Sequence, residues 1–146
     1  MNSIKFLNSF LPATLLALTI TGCASGPRYS ALHNSESPVP AGEGRIYIYR
    51  TAHVGAAVQP KVKVNDEAVG SAVPGGYFFI DRPAGNYQIS TTTEVKRTLS
   101  LTLDPAQERY VRLNISFGFF VGHVWPELID NQVAEKDIKD CHFVGK

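Results

Sequence analysis

Cys141 and His142 stand side by side near the end of the chain, and with His123 they are its most reactive candidates. A thiol beside an imidazole suggests a thiol enzyme, which needs a nucleophile, a base and a group that orients the base. Adjacent residues on a strand or helix point apart, so the pair alone is not a dyad. A small buried residue closing a C-terminal helix, or a thiol that pairs with another chain, explains Cys141 as well. The serines offer no Gly-x-Ser-x-Gly elbow. The histidines His33, His53, His123 and His142 lack H-x-x-x-H spacing, and the cysteines lack C-x-x-C spacing. A spatial cluster of His123, Cys141 and His142 is the one metal arrangement left open. Asp66, Glu67 and Asp81 fall around turns, where solvated charge accounts for them. Gly75-Gly76 and Pro83-Ala84-Gly85 are turn glycines that lead into no helix able to cradle phosphate. The expectation is a noncatalytic protein without metal or cofactor.

Two features are suited to binding instead. If Ile46 and Ile48 face a core, Tyr47 and Tyr49 face outward, and Tyr77 and Phe79 continue the row on a neighbouring strand. Such aromatics bring contact area at little entropic cost, which suits glycans or protein partners. The competing reading is that the C-terminal helix covers them as a second core layer. The other feature is Ile115 to Trp125, a stretch without charge in which glycines loosen the strand. It reads as a central strand buried on both faces or, alternatively, as an apolar loop that meets lipid or a partner.

The elements that position these residues are mostly strands. The chain has 146 residues, 44% of them hydrophobic, with 14 Lys+Arg against 13 Asp+Glu, a length and composition that suit one domain. The charge balance gives no footprint for nucleic acid, and no apolar run is long enough for a permanent membrane span. Two cysteines are too few for a disulfide framework. Arg45 to Arg50 alternates aliphatic and aromatic residues, and Lys61 to Val64 alternates charged and β-branched ones. Asn65-Asp66 makes a turn before Ala68-Val69-Gly70, Gly75-Gly76 opens Tyr77 to Asp81, and Arg82 to Gly85 fits a type I turn. Tyr87, Ile89, Thr91 and Thr93 share a face, followed by rows Leu99-Leu101-Leu103 and Val111-Leu113-Ile115. The pattern is about seven strands with turn signals at regular spacing, which predicts an antiparallel β-sandwich, since the links are too short for helical crossovers. Pro126 and Glu127 suit the start of one short C-terminal helix, running to about Asp140.

The N-terminal residues 1–22 read as a targeting segment, with Lys5 before the mostly apolar stretch Phe6 to Ile20. It ends in Ile20-Thr21-Gly22-Cys23, which resembles the lipobox of bacterial lipoproteins. That resemblance implies cleavage before Cys23 and acylation of its sulfur with diacylglycerol, giving the mature cysteine two or three acyl chains such as palmitate. Two chains suffice for stable anchoring. In such lipoproteins Asp after the cysteine retains the protein in the inner membrane; Ala24 here implies the periplasmic face of the outer membrane. Residues 23–44 are rich in Ser, Pro and Gly without apolar periodicity, and read as the lipidated cysteine and a flexible tether. Its flexible-chain span is about 25 Å. Tyr29, Leu32 and Val39 could instead dock back. Residues 45–146 are the β-sandwich domain.

Gly44 to Arg50, Val64-Asn65, Val69-Gly70, Gly75 to Phe78, Pro83 to Tyr87, Tyr110 to Leu113 and Cys141-His142 resemble a family of small bacterial lipoproteins with a domain of unknown function. The central part is also similar to PEGA-type surface-layer modules, with Asp66 where the module has Gly, a departure that weighs against the tightest type I′ turn. The resemblance implies a small β-sandwich and names no catalytic residue. The combined expectation is a membrane-anchored structural or adaptor lipoprotein that binds another cell-envelope component. The alternatives are a cell-wall glycan module using the tyrosine row and a periplasmic thiol enzyme using Cys141.

Overall fold

The computed structural model describes residues 24–93, 95–117 and 122–145. Among these residues nine strands form two sheets: β1 (Glu43–Tyr49), β2 (Lys61–Val64), β3 (Glu67–Ser71), β4 (Gly76–Pro83), β5 (Gly85–Thr92), β6 (Lys96–Leu103), β7 (Glu108–Phe117), β8 (Gly122–Ile129) and β9 (His142–Phe143). One sheet has the order β8-β7-β1-β4-β9 and the other β3-β2-β5-β6. Helices α1 (Tyr29–Leu32) and α2 (Asn131–Ile138) complete the fold, which is mainly β and sandwich-like with one short C-terminal helix.

Alternation along each strand builds the core. Ile46 and Ile48 of β1, Val111 and Leu113 of β7 and Phe78 of β4 meet Val62, Val64, Ile89, Leu101 and Leu103 of the second sheet, all buried. On one side β8 leans across onto the second sheet, where the Thr91 hydroxyl donates to the carbonyl of Val124 at 2.6 Å. The two-residue turn Asn65-Asp66 has φ of 47° and 67°. Positive φ at both positions is the type I′ arrangement, reached without the expected glycine. Asn65 contributes locally, its side-chain oxygen accepting from Gln88 N–H at 2.9 Å.

Four expectations are corrected. Pairing is not antiparallel throughout: β1 pairs β7, and β4 pairs β9, in parallel. Short links constrain only consecutive strands; β1 and β7 are separated by an entire sheet, so nothing forces the antiparallel sense. Pro126 opens no helix. It lies within β8 opposite Leu113, and β8 is an edge strand where a missing N–H breaks no ladder. The helix starts later, where the Asp130 side chain accepts from Gln132 N–H at 3.0 Å. Ile115 to Trp125 is no single buried strand; its described residues are the arms of the β7–β8 hairpin, and Phe117 is exposed.

The fourth correction concerns the tether. Residues from Ala24 onward are docked on the domain, with Tyr29 N–H donating to Cys141 carbonyl and Phe143 N–H to Pro27 carbonyl, both at 2.8 Å. Tyr29 is 4% exposed, so an aromatic anchor holds this strap down.

Arg50 organises the loop between β1 and β2. It is fully buried, and its guanidinium donates to the carbonyls of Ala52, Val54, Gly55, Val58 and Ala72 at 2.7–3.2 Å. Burial pulls its pKa down. Five carbonyl dipoles, in place of a carboxylate, compensate the charge.

Candidate functional site

The outer face of the five-stranded sheet carries the tyrosine row. Tyr47, Tyr49 and Tyr77 are fully buried, with Tyr110 beside them, under a cover made of Tyr29, Ala134, Ile138 and Cys141. The expectation of an exposed aromatic face at Tyr47, Tyr49 and Tyr77 is therefore corrected: the competing reading, a second core layer, holds. The cover comes from both α1 and α2, because the strap supplies an aromatic as well as the C-terminal helix. Tyr47 and Tyr110 stack with centroids 4.8 Å apart, and Tyr29 meets Tyr47 edge-on at 5.6 Å.

Each phenol carries a polar tip into this layer, and most find partners. Tyr47 donates to Glu36 at 2.6 Å, Tyr49 to Asp137 at 3.4 Å, and the Tyr29 and Tyr110 hydroxyls lie 3.1 Å apart. Arg45, only 3% exposed, makes a two-pronged contact with Asp81 at 2.7 and 2.8 Å and reaches Glu36 at 3.3 Å. Its guanidinium also sits 4.1 Å from the centroid of the half-buried Phe79 ring. Its hydrogen bonds to Asp81 push the Arg45 pKa up. Burial raises the pKa of all five phenols, that of Tyr29 to about 12. Among the described residues, Glu36 Oε1 and the Tyr77 hydroxyl are buried without a hydrogen-bond partner, although the Glu36 charge adds to the upward push on Tyr77.

Cys141 and His142 do not act together. The Cys141 thiol is buried and faces the Arg50 carbonyl at 3.9 Å, and burial followed by Asp140 and Asp137 pushes its pKa to about 12. A thiol so held is a poor nucleophile at neutral pH. His142 turns the other way, its Nδ1 on the Gly26 carbonyl. His123 sits elsewhere, in a hollow with Arg97, Thr98 and Trp125. No group of His, Cys, Asp and Glu among the described residues could hold a metal ion. Cys23 and the apolar stretch before it lie outside the described residues. No described helix is long and apolar enough to cross a membrane, which leaves crossing by strands unaddressed.

An open groove of about 620 Å³ runs between the sheets on the side opposite β8. Its walls are two strand edges. Among the described residues, β3 ends the smaller sheet, and β4 has no strand neighbour on its outer side beyond Tyr77, because β9 pairs only Gly76 and Tyr77. Val69, Phe78, Phe79, Ile80, Phe143 and Val144 give it an apolar lining, and Lys61 and Ser71 stand at one end. Gly70 lets the Phe78 ring lie close, since a Cβ there would be 2.6 Å from that ring and would force it to shift. Of the candidate binding residues singled out in the sequence, only Phe79 belongs to this groove. Val69, Ile80 and Val144 give no warning individually, because the groove arises from where the sheets stop.

The protein family described as "Protein of unknown function (DUF2846)" matches residues 40–124. An uncharacterized protein of Haemophilus influenzae (strain ATCC 51907 / DSM 11121 / KW20 / Rd) is 27% identical over 134 residues, covering 88% of this chain and 79% of that protein. Among solved structures, the N-terminal domain of AlgF from P. aeruginosa is 20% identical with a TM-score of 0.38, covering 60% of this chain and 96% of that one. A likeness that slight carries no argument. The family match is of another order. It takes in β1 to β7 and enters β8, more than half of the sequence, and the chain belongs to the DUF2846 family.

Proposed function

We propose that this protein is a noncatalytic adaptor, anchored by acylated Cys23 to the periplasmic face of a bacterial outer membrane, and that it binds an extended segment of another envelope protein along the β3–β4 groove. The lipobox-like Ile20-Thr21-Gly22-Cys23, with Ala24 after it, supports the anchor. The observation that carries the binding mode is the pair of strand edges without strand neighbours flanking an apolar lining. An extended peptide entering there gains main-chain hydrogen bonds from an edge and pockets for alternate side chains. Burial of the tyrosine row removes the feature that favoured a glycan platform, and the inaccessible, weakly acidic Cys141 thiol gives the thiol-enzyme alternative no support.

The test is in-cell photocrosslinking of the full-length protein with the reactive group placed at Val69 or at Ile80, and at Val133 on α2 as a control. One abundant envelope protein captured from both groove positions, and lost on Phe79→Asp, is the expected result. Identical capture from Val133 sinks the groove. Intact mass of the purified protein reads the anchor separately, as acyl mass on Cys23 or its absence.

A further inference from the structure

Most large apolar side chains left in water are gathered at one end of the sandwich. Val54 is 59% exposed, Val95 48% and Phe117 62%. The strand register places them together. Tyr49 pairs with Tyr77 and lies beside Arg112, so the end of β1, the start of β4 and the far half of β7 share one end. Val62 opposite Thr91 brings the start of β2 and the end of β5 to that same end. Arg50 ties both sheets there through Val58 and Ala72 and fixes the loop that carries Val54. Phe117 is its neighbour, since a Cβ on Gly55 would lie 3.2 Å from the Phe117 ring. Val95 sits in the β5–β6 turn.

The strap leaves from this end too. Ala24 N–H donates to the Pro74 carbonyl at 3.3 Å, and Pro74 lies just before β4, where Gly76 accepts from Arg50 N–H. The residue before Ala24 is Cys23, whose Cα is about 3.8 Å further along the chain. If Cys23 is acylated, the lipid is attached one residue before the docked Ala24, at the end of the sandwich that carries Val54, Val95 and Phe117. Exposed Lys61 and Arg97 stand at this end, while Glu43, Glu67 and Asp104 lie at the other. Lys96 is engaged with Asp66, and Glu94, in the same turn as Val95, lies outside the described residues. That polarity suits anionic headgroups.

We infer that this end of the sandwich is a membrane-seating surface, in which Val54, Val95 and Phe117 enter the headgroup region of a phospholipid bilayer beside the N-terminal anchor. The inference rests on the anchored reading and adds a second membrane contact to it. Lipidation supplies the affinity, and the three side chains fix orientation, turning the opposite end, with the Asn65-Asp66 and Ala84 turns, toward the aqueous space.

The test uses the full chain with tryptophan reporters in phosphatidylethanolamine–phosphatidylglycerol vesicles whose acyl chains are brominated. Trp125→Phe removes the single natural tryptophan, and Phe117→Trp, Val54→Trp or, as a control on α2, Val133→Trp restores one. All three sites are exposed, so circular dichroism should show the fold unchanged. Reporters at 117 and 54 should lose about half or more of their emission relative to unbrominated vesicles, as expected at the headgroup–acyl boundary, and the reporter at 133 should lose none. Quenching at 117 and 54 no greater than at 133 overturns the inference, and leaves a protein partner as the occupant of this end. Intact mass separates the two readings. Acylated Cys23 with unquenched reporters defeats the seating surface alone, and quenched reporters without acylation defeat the anchor alone.

Discussion

On the five-stranded sheet, Ile46, Ile48, Val111 and Leu113 point toward the second sheet, while Tyr47, Tyr49, Tyr77 and Tyr110 point toward α1 and α2. The same strands thus carry two layers of different chemistry. The aliphatic layer needs only shape and area, and any side chain of similar volume can serve. The phenolic layer must also accommodate a hydroxyl on each ring: His33 and Glu36 partner that of Tyr47, Arg45 holds Glu36, and Asp137 partners that of Tyr49. Its cover is a short helix after β8 and a strap before β1, whereas the aliphatic layer is closed by a complete sheet. One layer is tolerant and closed by a sheet; the other is specific and depends on segments outside the sheets.

Alkaline pH should separate the two layers most strongly. Phenol pKa values are raised in the folded state from an unfolded value of about 10. Their contribution is complete below pH about 10 and is lost as pH rises through the folded values, because the unfolded chain releases protons that the folded one keeps. Each retained phenol costs about 1.4 kcal/mol per pH unit above that point. Five together approach the whole stability of an ordinary domain, about 5–15 kcal/mol. Urea midpoints from about pH 8 to about pH 11 should fall steeply, with phenolate absorbance from these five rings appearing only on unfolding. Phenolate absorbance near pH 10 from these rings in the folded protein would show the layer to be open.

Truncation should cost both layers comparably. Tyr47→Ala should remove about 3–5 kcal/mol and Ile48→Ala about 2–5 kcal/mol in urea denaturation. A cost below about 1 kcal/mol for Tyr47→Ala would mean that the cover does not exclude water. Finer substitutions sharpen the contrast. Tyr47→Phe keeps the ring but removes the 2.6 Å bond to the buried Glu36 carboxylate, leaving it the longer contact with Arg45, at about 1–3 kcal/mol. Ile48→Val, which leaves no polar group unpaired, should cost about 0.5–1.5 kcal/mol. The rim of the cover should matter least. Arg28 and Asp140 are 3.6 Å apart and mostly exposed, so Asp140→Asn should stay within about 0.5 kcal/mol.

The aliphatic layer was legible in the sequence because period-two alternation alone specifies it: Ile46-Ile48, Leu99-Leu101-Leu103 and Val111-Leu113 each declare a buried face. The phenolic layer was half legible. Alternation places Tyr47 and Tyr49 on the opposite face, but whether that face is wet depends on distant cover, and Tyr29 sits in a stretch with the composition of a linker. Pro126 misled for a related reason, since Pro-Glu opens helices and occupies edge strands equally well, and only the sheet order tells which. The groove was not legible, because it is a boundary between strand edges and belongs to no local motif. Arg50 gave no signal either: a charged residue ending an alternating strand is ordinary until five carbonyls converge on it.

The hydrogen bonds that join Tyr29 to Cys141 and Phe143 to Pro27 link the beginning of the described chain to its end. A nascent chain emerging N-terminus first has made its tyrosine-bearing strands before β9 exists to hold the strap against them. Until Cys141 and Phe143 have been made, the outer aromatic layer is therefore uncovered. Cys141 and Phe143 complete the closure, and the period just before they arrive is when this chain is most exposed to aggregation and most in need of a holding chaperone.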